Sequence, residues 1–246
     1  MRKVILTSSL GGYIREEGRR IPDAFPAKNG KAEIMRSAWP DNAKVMIVCA
    51  APDWHEVNDD IRNCLEAAFL FNGMTVSECV MCDGRNPETI GRLPEMDVLV
   101  LTGGHVPTQN AFMQKIRLKE RLERFGGLVI AWSAGSMNCA ETVYAGPELP
   151  GEAVDPEFRR WIPGLGLTKV NIFPHYEALR EETLDGLRLI EDITYADSMG
   201  HPILGLNNGS FIVIDEDGET LFGEAYRILD GEETQICRDG ESVRLK

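Results

Sequence analysis

The residues whose types and spacing could do chemistry gather around Ser133. An apolar run, residues 127–132, leads into it, and the small residues Ala131 and Gly135 stand two positions before and two positions after it. A strand that turns this tightly into a helix projects the serine hydroxyl into open space, and only small neighbours fit beside it. The N–H of Ala134 is then expected to face the same space and to stabilise an oxyanion. The sequence therefore predicts a nucleophilic serine.

The base that a serine nucleophile needs at neutral pH is predicted to be a histidine. The chain has four, His55, His105, His175 and His201. Two of them, His105 and His175, are predicted to lie where strands give way to loops at the edge that carries Ser133. His175 follows Pro174, which stiffens the backbone and helps to fix the direction of the ring. We predict that His175 is the base.

The carboxylate that holds the base is expected in the irregular segment between Ser133 and His175. Glu148 follows Ser133 by 15 residues and Asp155 follows it by 22. The other acidic residues of the region fit less well: Glu141, Glu152 and Glu157. The order serine, acid, histidine is common among α/β hydrolases with such a turn. Spacing alone leaves Glu148 and Asp155 as alternatives.

The elements that position these residues alternate between strands and helices. Apolar runs predict strands, and apolar residues at helical spacing predict helices. The predicted strands are residues 2–8, 43–50, 74–81, 97–101, 127–132 and 167–172, and the predicted helices are residues 56–71, 111–125 and 183–196. This alternation predicts an α/β fold with a mostly parallel sheet and helices on both faces. Ligands of such sheets bind at the carboxyl ends of the strands, where Gly103, Gly104 and Ser133 all fall.

The remaining segments are predicted to be less regular. Residues 202–229 contain short strands joined by turns such as Asn208-Gly209, which predicts an antiparallel C-terminal extension of the sheet. Asn207-Asn208-Gly209 is first of all a turn signal, although its neighbourhood could approach the site. Residues 11–43 and 144–166 are punctuated by proline, and long segments of this kind often form lids or binding loops.

The composition limits the classes of function. A chain of 246 residues is most simply one α/β domain over residues 1–246. The net charge of −13 disfavours nucleic acid and anionic membranes as partners, because both require a positive field. No apolar run approaches the length of a membrane span and no signal peptide is recognisable, so we expect a cytoplasmic protein with reduced cysteines. Cys79 and Cys82 have metal-like spacing, but we interpret them as buried thiols.

Three segments together carry a resemblance to a known family. They are Leu101-Thr102-Gly103-Gly104, Ala131-Trp132-Ser133-Ala134-Gly135-Ser136 and Phe173-Pro174-His175-Tyr176. In order and approximate spacing they resemble the signatures of the dipeptidase E family, serine exopeptidases of peptidase family S51 that have cyanophycinase as a relative. The resemblance extends from Lys3 to about residue 230. It implies a flavodoxin-like fold, similar to that of class I glutamine amidotransferases.

The resemblance also implies roles for individual residues. Ser133 would be the nucleophile, His175 the base, and the N–H groups of Gly104 and Ala134 the oxyanion hole. The family's acidic residue lies about 15 positions past the serine, which favours Glu148 as the third member of the triad. The enzyme would form an acyl-enzyme on a small peptide and would need no metal or organic cofactor. Dipeptidase E removes N-terminal aspartate, so Asp-Xaa dipeptides are the first candidate substrates.

Three positions depart from the family's pattern. Ala131 stands where glycine is usual, and the acid is a glutamate, one methylene longer. His105 stands where the family typically has asparagine, beside the oxyanion donors, so His105 and Gly103 are candidate substrate contacts. The arginine that would recognise an aspartyl side chain is sought among Arg159, Arg160 and Arg180. The alternatives are an isoaspartyl or cyanophycin-like amide hydrolase and a catalytically silent binding protein; a homodimer is left open.

Overall fold

The computed structural model of the chain describes residues 3–245. Its strands are β1 (Val4–Thr7), β2 (Tyr13–Glu16), β3 (Arg19–Pro22), β4 (Ala43–Val48), β5 (Val76–Cys82), β6 (Val98–Leu101), β7 (Leu128–Trp132), β8 (Thr142–Tyr144), β9 (Trp161–Pro163), β10 (Asn171–Phe173), β11 (Thr183–Leu184), β12 (Leu187–Arg188), β13 (Ile203–Leu206), β14 (Phe211–Asp215), β15 (Gly218–Phe222), β16 (Ala225–Leu229), β17 (Glu232–Cys237) and β18 (Ser242–Arg244). Its α-helices are α1 (Lys31–Ala38), α2 (His55–Phe71), α3 (Val106–Lys115), α4 (Leu118–Leu122), α5 (Ala134–Asn138), α6 (Tyr176–Leu179) and α7 (Tyr195–Asp197), with 3-10 turns at Lys28–Gly30 and Pro87–Glu95 and a π-turn at Leu189–Thr194.

The largest sheet has eight strands in the order β18-β15-β14-β1-β7-β6-β4-β5. Strands β1, β7, β6, β4 and β5 run parallel, and β14, β15 and β18 extend the sheet antiparallel beyond β1. Strands β1 and β6 are buried at every residue, as expected for parallel strands that helices cover on both faces. The fold is therefore α/β, a mostly parallel sheet flanked by helices with antiparallel strands at its C-terminal end, as the sequence predicts.

A second sheet takes up part of the C-terminal region. It has four strands in the order β10-β13-β16-β17. The predicted antiparallel extension is thus divided, because β14, β15 and β18 join the large sheet while β13, β16 and β17 join β10. A separate buried cluster, which includes Met137, Phe173, Tyr176 and Ile203, lies between this sheet and α5. The second sheet is the platform that carries His175, which directly follows β10 and Pro174.

Three predicted elements differ from the structure. Residues 183–196, predicted to be a helix, form the hairpin β11–β12 and a π-turn, because Asp185 and Gly186 both take positive φ, 55° and 83°, and reverse the chain. The predicted helix 111–125 is divided into α3 and α4 at Arg117, whose φ is 54°. Residues 11–43, expected to lack regular elements, contain the hairpin β2–β3 and helix α1.

None of the helices in residues 3–245 has the length and apolar character required to cross a membrane.

Candidate active site

The turn at Ser133 is as tight as the sequence predicts. Ser133 lies between β7 and α5 with φ 50° and ψ −122°, a backbone conformation that is costly for any residue other than glycine. The N–H of Ser133 donates to the carbonyl of Thr7 at 3.1 Å, which ties the turn to β1. A Cβ atom on Gly135 would lie 2.4 Å from the carbonyl oxygen of Leu101. Glycine is therefore required at Gly135 for the helix to pass close to β6.

Two backbone N–H groups near Ser133 are candidates for an oxyanion hole, since a Cβ atom on Gly103, the residue before Gly104, would lie 3.0 Å from the Cβ of Ser133. They belong to Gly104, after β6, and Ala134, the first residue of α5. A Cβ atom on Gly104 would lie 2.6 Å from the Cβ of Ala50, so only glycine fits at this approach to β4. Within residues 3–245 neither N–H donates a hydrogen bond. Free donors next to a nucleophile are the arrangement that an oxyanion hole requires.

His175 is held in a defined orientation by two hydrogen bonds. Its φ of 56° is in the left-handed region, and its N–H donates to Ser8 Oγ at 2.8 Å. Its ring Nδ1 lies 2.7 Å from Asn208 Oδ1. Because Ser8 Oγ also donates to this oxygen, at 3.3 Å, Asn208 Oδ1 acts as an acceptor and Nδ1 carries the proton. The other ring nitrogen, Nε2, is then free to act as a base.

The partner of His175 is Asn208 and neither of the predicted acids. Within the described residues Glu148 makes no hydrogen bond to His175; its Oε1 accepts the N–H of Val106 at 3.4 Å. Asp155 accepts the N–H of Glu157 within its own loop. The loop that carries Glu148 packs against the start of α3, so the acid expected about 15 residues past the serine makes no hydrogen bond to His175 within the described residues.

Asn208 was visible in the sequence only as part of a turn. The loop between β13 and β14 brings it to His175, and its N–H donates to both oxygens of the Glu177 carboxylate, at 2.7 and 3.0 Å. Glu177 lies in α6, immediately after His175. No local sequence pattern predicts the contact between His175 and Asn208, because the two residues are 33 positions apart. The nearest sequence signal was the turn at Asn208-Gly209.

Ser133 and His175 line the same two cavities. The hairpin-side cavity has a volume of about 260 Å3 and is also lined by Tyr13, Arg15 and Arg20 of the β2–β3 hairpin. The loop-side cavity, of about 380 Å3, is also lined by Glu148 of the 144–166 segment, by Glu182, which precedes β11, and by Leu184 of β11. No hydrogen bond joins Ser133 Oγ to His175 within residues 3–245. Such bonds are often long in enzymes without substrate and shorten when substrate binds.

Both ring nitrogens of His105 form hydrogen bonds with protein groups. Nδ1 lies 2.7 Å from Thr108 Oγ1, and Nε2 lies 2.9 Å from Glu152 Oε1. The other oxygen of Glu152 accepts the N–H groups of Glu148 and Leu149, each at 2.9 Å. His105 therefore fastens the 144–166 segment to the start of α3. Of the two candidate substrate contacts named from the sequence, Gly103 lines the hairpin-side cavity, whereas His105 contacts Thr108 and Glu152.

The arginines proposed from the sequence do not line either cavity. Arg159 is exposed. Arg160 forms an ion pair with Asp197 at 3.5 Å, and Arg180 pairs with Glu233 and stacks on two tyrosine rings. The arginines that do face Ser133 are Arg15 and Arg20 of the β2–β3 hairpin. No sequence signal singles them out, because proline and charged residues in 11–43 hide the two short strands that carry them.

The cysteines and the other acidic residues form no metal site in the described part of the chain. No group of three or more histidine, cysteine, aspartate or glutamate side chains within residues 3–245 could hold a metal ion. None of the six cysteines forms a disulfide within the described residues, and all six are buried. Burial raises the pKa of Cys79 and of Cys82 to about 12, so both are protonated thiols at neutral pH.

The comparison with protein families agrees with this geometry. The family model of peptidase family S51 matches residues 31–222. The chain belongs to this family. It is therefore a member of a peptidase family, and the matched range contains Ser133, His175 and Asn208.

Two solved structures are similar in fold. A peptidase from an acI-B1 Actinobacterium superposes with a TM-score of 0.67 at 17% identity, over 99% of this chain and 96% of that one. A Listeria monocytogenes EGD-e protein provisionally assigned as a peptidase E superposes with a TM-score of 0.57 at 15% identity, over 96% of this chain and 100% of that one. At these identities the likeness concerns the fold. No curated protein matches the chain.

Proposed function

We propose that this S51 peptidase is a serine exopeptidase that hydrolyses short peptides, with Asp-Xaa dipeptides as the first candidates. The observation that carries the proposal is the turn at Ser133, which presents the hydroxyl to the two cavities that His175 also lines. Membership of peptidase family S51 supports the hydrolysis of a peptide bond. In this proposal Ser133 supplies the nucleophile, His175 the base, and the N–H groups of Gly104 and Ala134 the oxyanion donors that acyl transfer requires.

The proposed reaction begins with a proton transfer. His175 Nε2 accepts the proton of Ser133 Oγ as the oxygen attacks the scissile carbonyl, and the N–H groups of Gly104 and Ala134 bind the resulting oxyanion. The protonated ring then gives the proton to the leaving amine, and the peptide bond breaks to leave an acyl-enzyme. A water molecule, deprotonated by His175 in turn, hydrolyses the ester and restores Ser133.

Asn208 has a positioning role in this proposal. Its Oδ1 accepts the Nδ1 proton of His175 and so keeps Nε2 directed to the serine. A neutral amide stabilises the protonated ring less than a carboxylate does. The carboxylate of Glu177, bonded to the N–H of Asn208, supplies negative charge one residue further away. The proposed triad is therefore Ser133, His175 and Asn208.

Labelling with a phosphonofluoridate tests the nucleophile. The wild-type protein should be labelled at Ser133, and Ser133→Ala should not react. Ser136→Ala is the matched control, since Ser136 Oγ donates to the carbonyl of Thr7 in the buried interior of the turn. Labelling that persists after Ser133→Ala would refute the proposal. A panel of aspartyl, isoaspartyl and neutral dipeptides then separates the dipeptidase from an isoaspartyl or cyanophycin-like hydrolase.

A catalytically silent binding protein is the second candidate. The observation that favours it is that no hydrogen bond joins Ser133 to His175 within residues 3–245. It predicts that Ser133 reacts with the phosphonofluoridate no faster than an ordinary surface serine and that no dipeptide of the panel is hydrolysed. Rapid labelling of the wild-type protein would exclude it.

A further inference from the structure

The loop-side cavity contains a carboxyl group that has no cationic partner. Glu148 lines this cavity together with Ser133 and His175. Its side chain accepts one long hydrogen bond from Val106, and within residues 3–245 it forms no ion pair with lysine, arginine or histidine. Glu148 is therefore an unpaired acidic group in the wall that faces the nucleophile.

The surroundings of Glu148 favour the arrival of a cation. Enclosure by protein is the main cause that raises the pKa of its carboxyl to about 7; the N–H of Val106 opposes this effect and the charge of Glu152 adds to it. The side chain of Glu148 is accessible to solvent because it lines an open cavity, but protein atoms surround that cavity. Glu182 lines the same cavity from an exposed position, and the neighbouring base, His105, is engaged by Glu152.

The rest of the cavity wall limits what kind of cation fits. Apolar side chains, among them Phe173, Leu184 and Leu189, form much of the lining. Such a wall suits a compact ligand that carries one positive charge near the reacting carbonyl. In a peptide the α-ammonium of the N-terminal residue is only two bonds from the carbonyl carbon of that residue. Its charge can therefore be held by the cavity that also contains Ser133.

We propose that Glu148 binds the α-ammonium of the residue whose carbonyl Ser133 attacks, so that the site selects peptides with a free N-terminus. This assignment rests on the serine peptidase activity proposed above. It makes Glu148 a specificity-determining residue that binds substrate, in place of the third triad member expected from the sequence. His105 and Glu152 then have a positioning role, because Glu152 holds the N–H of Glu148 and His105 holds Glu152.

The opposite side of Ser133 carries the complementary charge. Arg15 and Arg20 line the hairpin-side cavity. Arg20 is paired with Asp60, whereas Arg15 makes no ion pair within the described residues. A short peptide with free ends has an ammonium at one end and a carboxylate at the other. The charges on the two sides of Ser133 match that pattern.

A pair of ligands that differ only in the α-amino group tests the proposal. Aspartyl-leucine and succinyl-leucine are titrated calorimetrically at pH 7.5 into the Ser133→Ala protein, which cannot turn them over. We expect aspartyl-leucine to bind about 10- to 100-fold more tightly, the range for a hydrogen bond between charged groups. Adding Glu148→Gln should abolish this preference. Adding Glu182→Gln instead, which removes a carboxylate from the same cavity, should change the preference by no more than about twofold.

Three results would overturn the assignment: equal affinity for the two ligands, a preference that persists in Glu148→Gln, or no binding of either ligand at millimolar concentration. A circular dichroism spectrum identical to that of the Ser133→Ala parent shows that the Glu148→Gln protein is folded. Catalysis is tested separately. If wild-type Ser133 is not labelled by the phosphonofluoridate, the serine peptidase activity is refuted whatever the calorimetry gives.

Discussion

Replacement of Asn208 by alanine tests whether this residue, and not an acid, supports the base. The change removes Oδ1, the acceptor 2.7 Å from His175 Nδ1, and leaves the oxyanion donors intact. The ring would then lose the contact that selects its tautomer and holds Nε2 toward Ser133. We expect kcat to fall while KM changes little, because Asn208 lines neither cavity.

The size of the effect follows from the charge on the ring. During the reaction His175 becomes a cation, and hydrogen bonds to charged groups contribute about 1.5–3 kcal/mol. This range corresponds to a loss of about 10- to 150-fold in rate. Asn208 is exposed, so water can replace part of the contact, and we expect the lower part of the range, about 10- to 30-fold.

The fall in kcat is measured by steady-state kinetics on the dipeptide that is hydrolysed fastest. The rate of phosphonofluoridate labelling is a second measure. Asn207→Ala is the matched control, because the Asn207 side chain makes no hydrogen bond within the described residues. Asn208→Asp keeps an acceptor and adds a negative charge that favours the protonated ring. It should retain activity and move the acidic limb of the kcat profile to higher pH.

The positioning role of Asn208 would be refuted if Asn208→Ala kept full kcat while Ser133→Ala lost it. It would equally be refuted if Glu148→Ala lowered kcat with a substrate that has no amino group, such as a phenyl ester, as strongly as Asn208→Ala does. That result would restore Glu148 as the support of the base.

Three further predictions concern the fold and the pH dependence. Gly135→Ala should lower the free energy of unfolding by about 1–3 kcal/mol in urea titrations, since its Cβ would lie 2.4 Å from the Leu101 carbonyl oxygen; Gly91→Ala, with open space, is the control, and equal effects would contradict the steric argument. For dipeptides KM should be lowest between about pH 7 and 8, where Glu148, with a pKa of about 7, is ionised and the peptide amino group, with a pKa of about 7.7–8.0, is still protonated. A KM that does not rise below pH 7, or that rises equally in Glu148→Gln, would contradict this prediction. Burial lowers the pKa of Lys31 to about 8, so between about pH 8 and 10.5 the unfolded chain binds more protons than the folded one, and the folded state gains stability from this residue as pH rises. The unfolding free energy of the wild type minus that of Lys31→Met should therefore rise by up to about 3 kcal/mol over that range. A value that does not change with pH would refute this.

The elements that sequence predicted best are those with strong local causes. The buried parallel strands and α2 follow from apolar periodicity, and the turn at Ser133 follows from the small residues Ala131 and Gly135 on either side of it. Prediction failed at residues 183–196, where the hydrophobic pattern suggested a helix but Asp185 and Gly186 reverse the chain. It also failed for the β2–β3 hairpin, because proline and charge in residues 11–43 hid two short strands.

The candidate site divides in the same way. The sequence by itself determined that Ser133 would stand on a sharp turn at the carboxyl edge of a parallel sheet, because the backbone geometry of that turn depends on residues adjacent in the chain. Only the tertiary structure decided that Asn208 lies against His175, that Glu148 lines the loop-side cavity without a hydrogen bond to the ring, and that Arg15 and Arg20 line the same cavity as Ser133. These contacts join segments tens of residues apart, and their distances depend on how two sheets and a hairpin pack, which no local pattern of residues specifies.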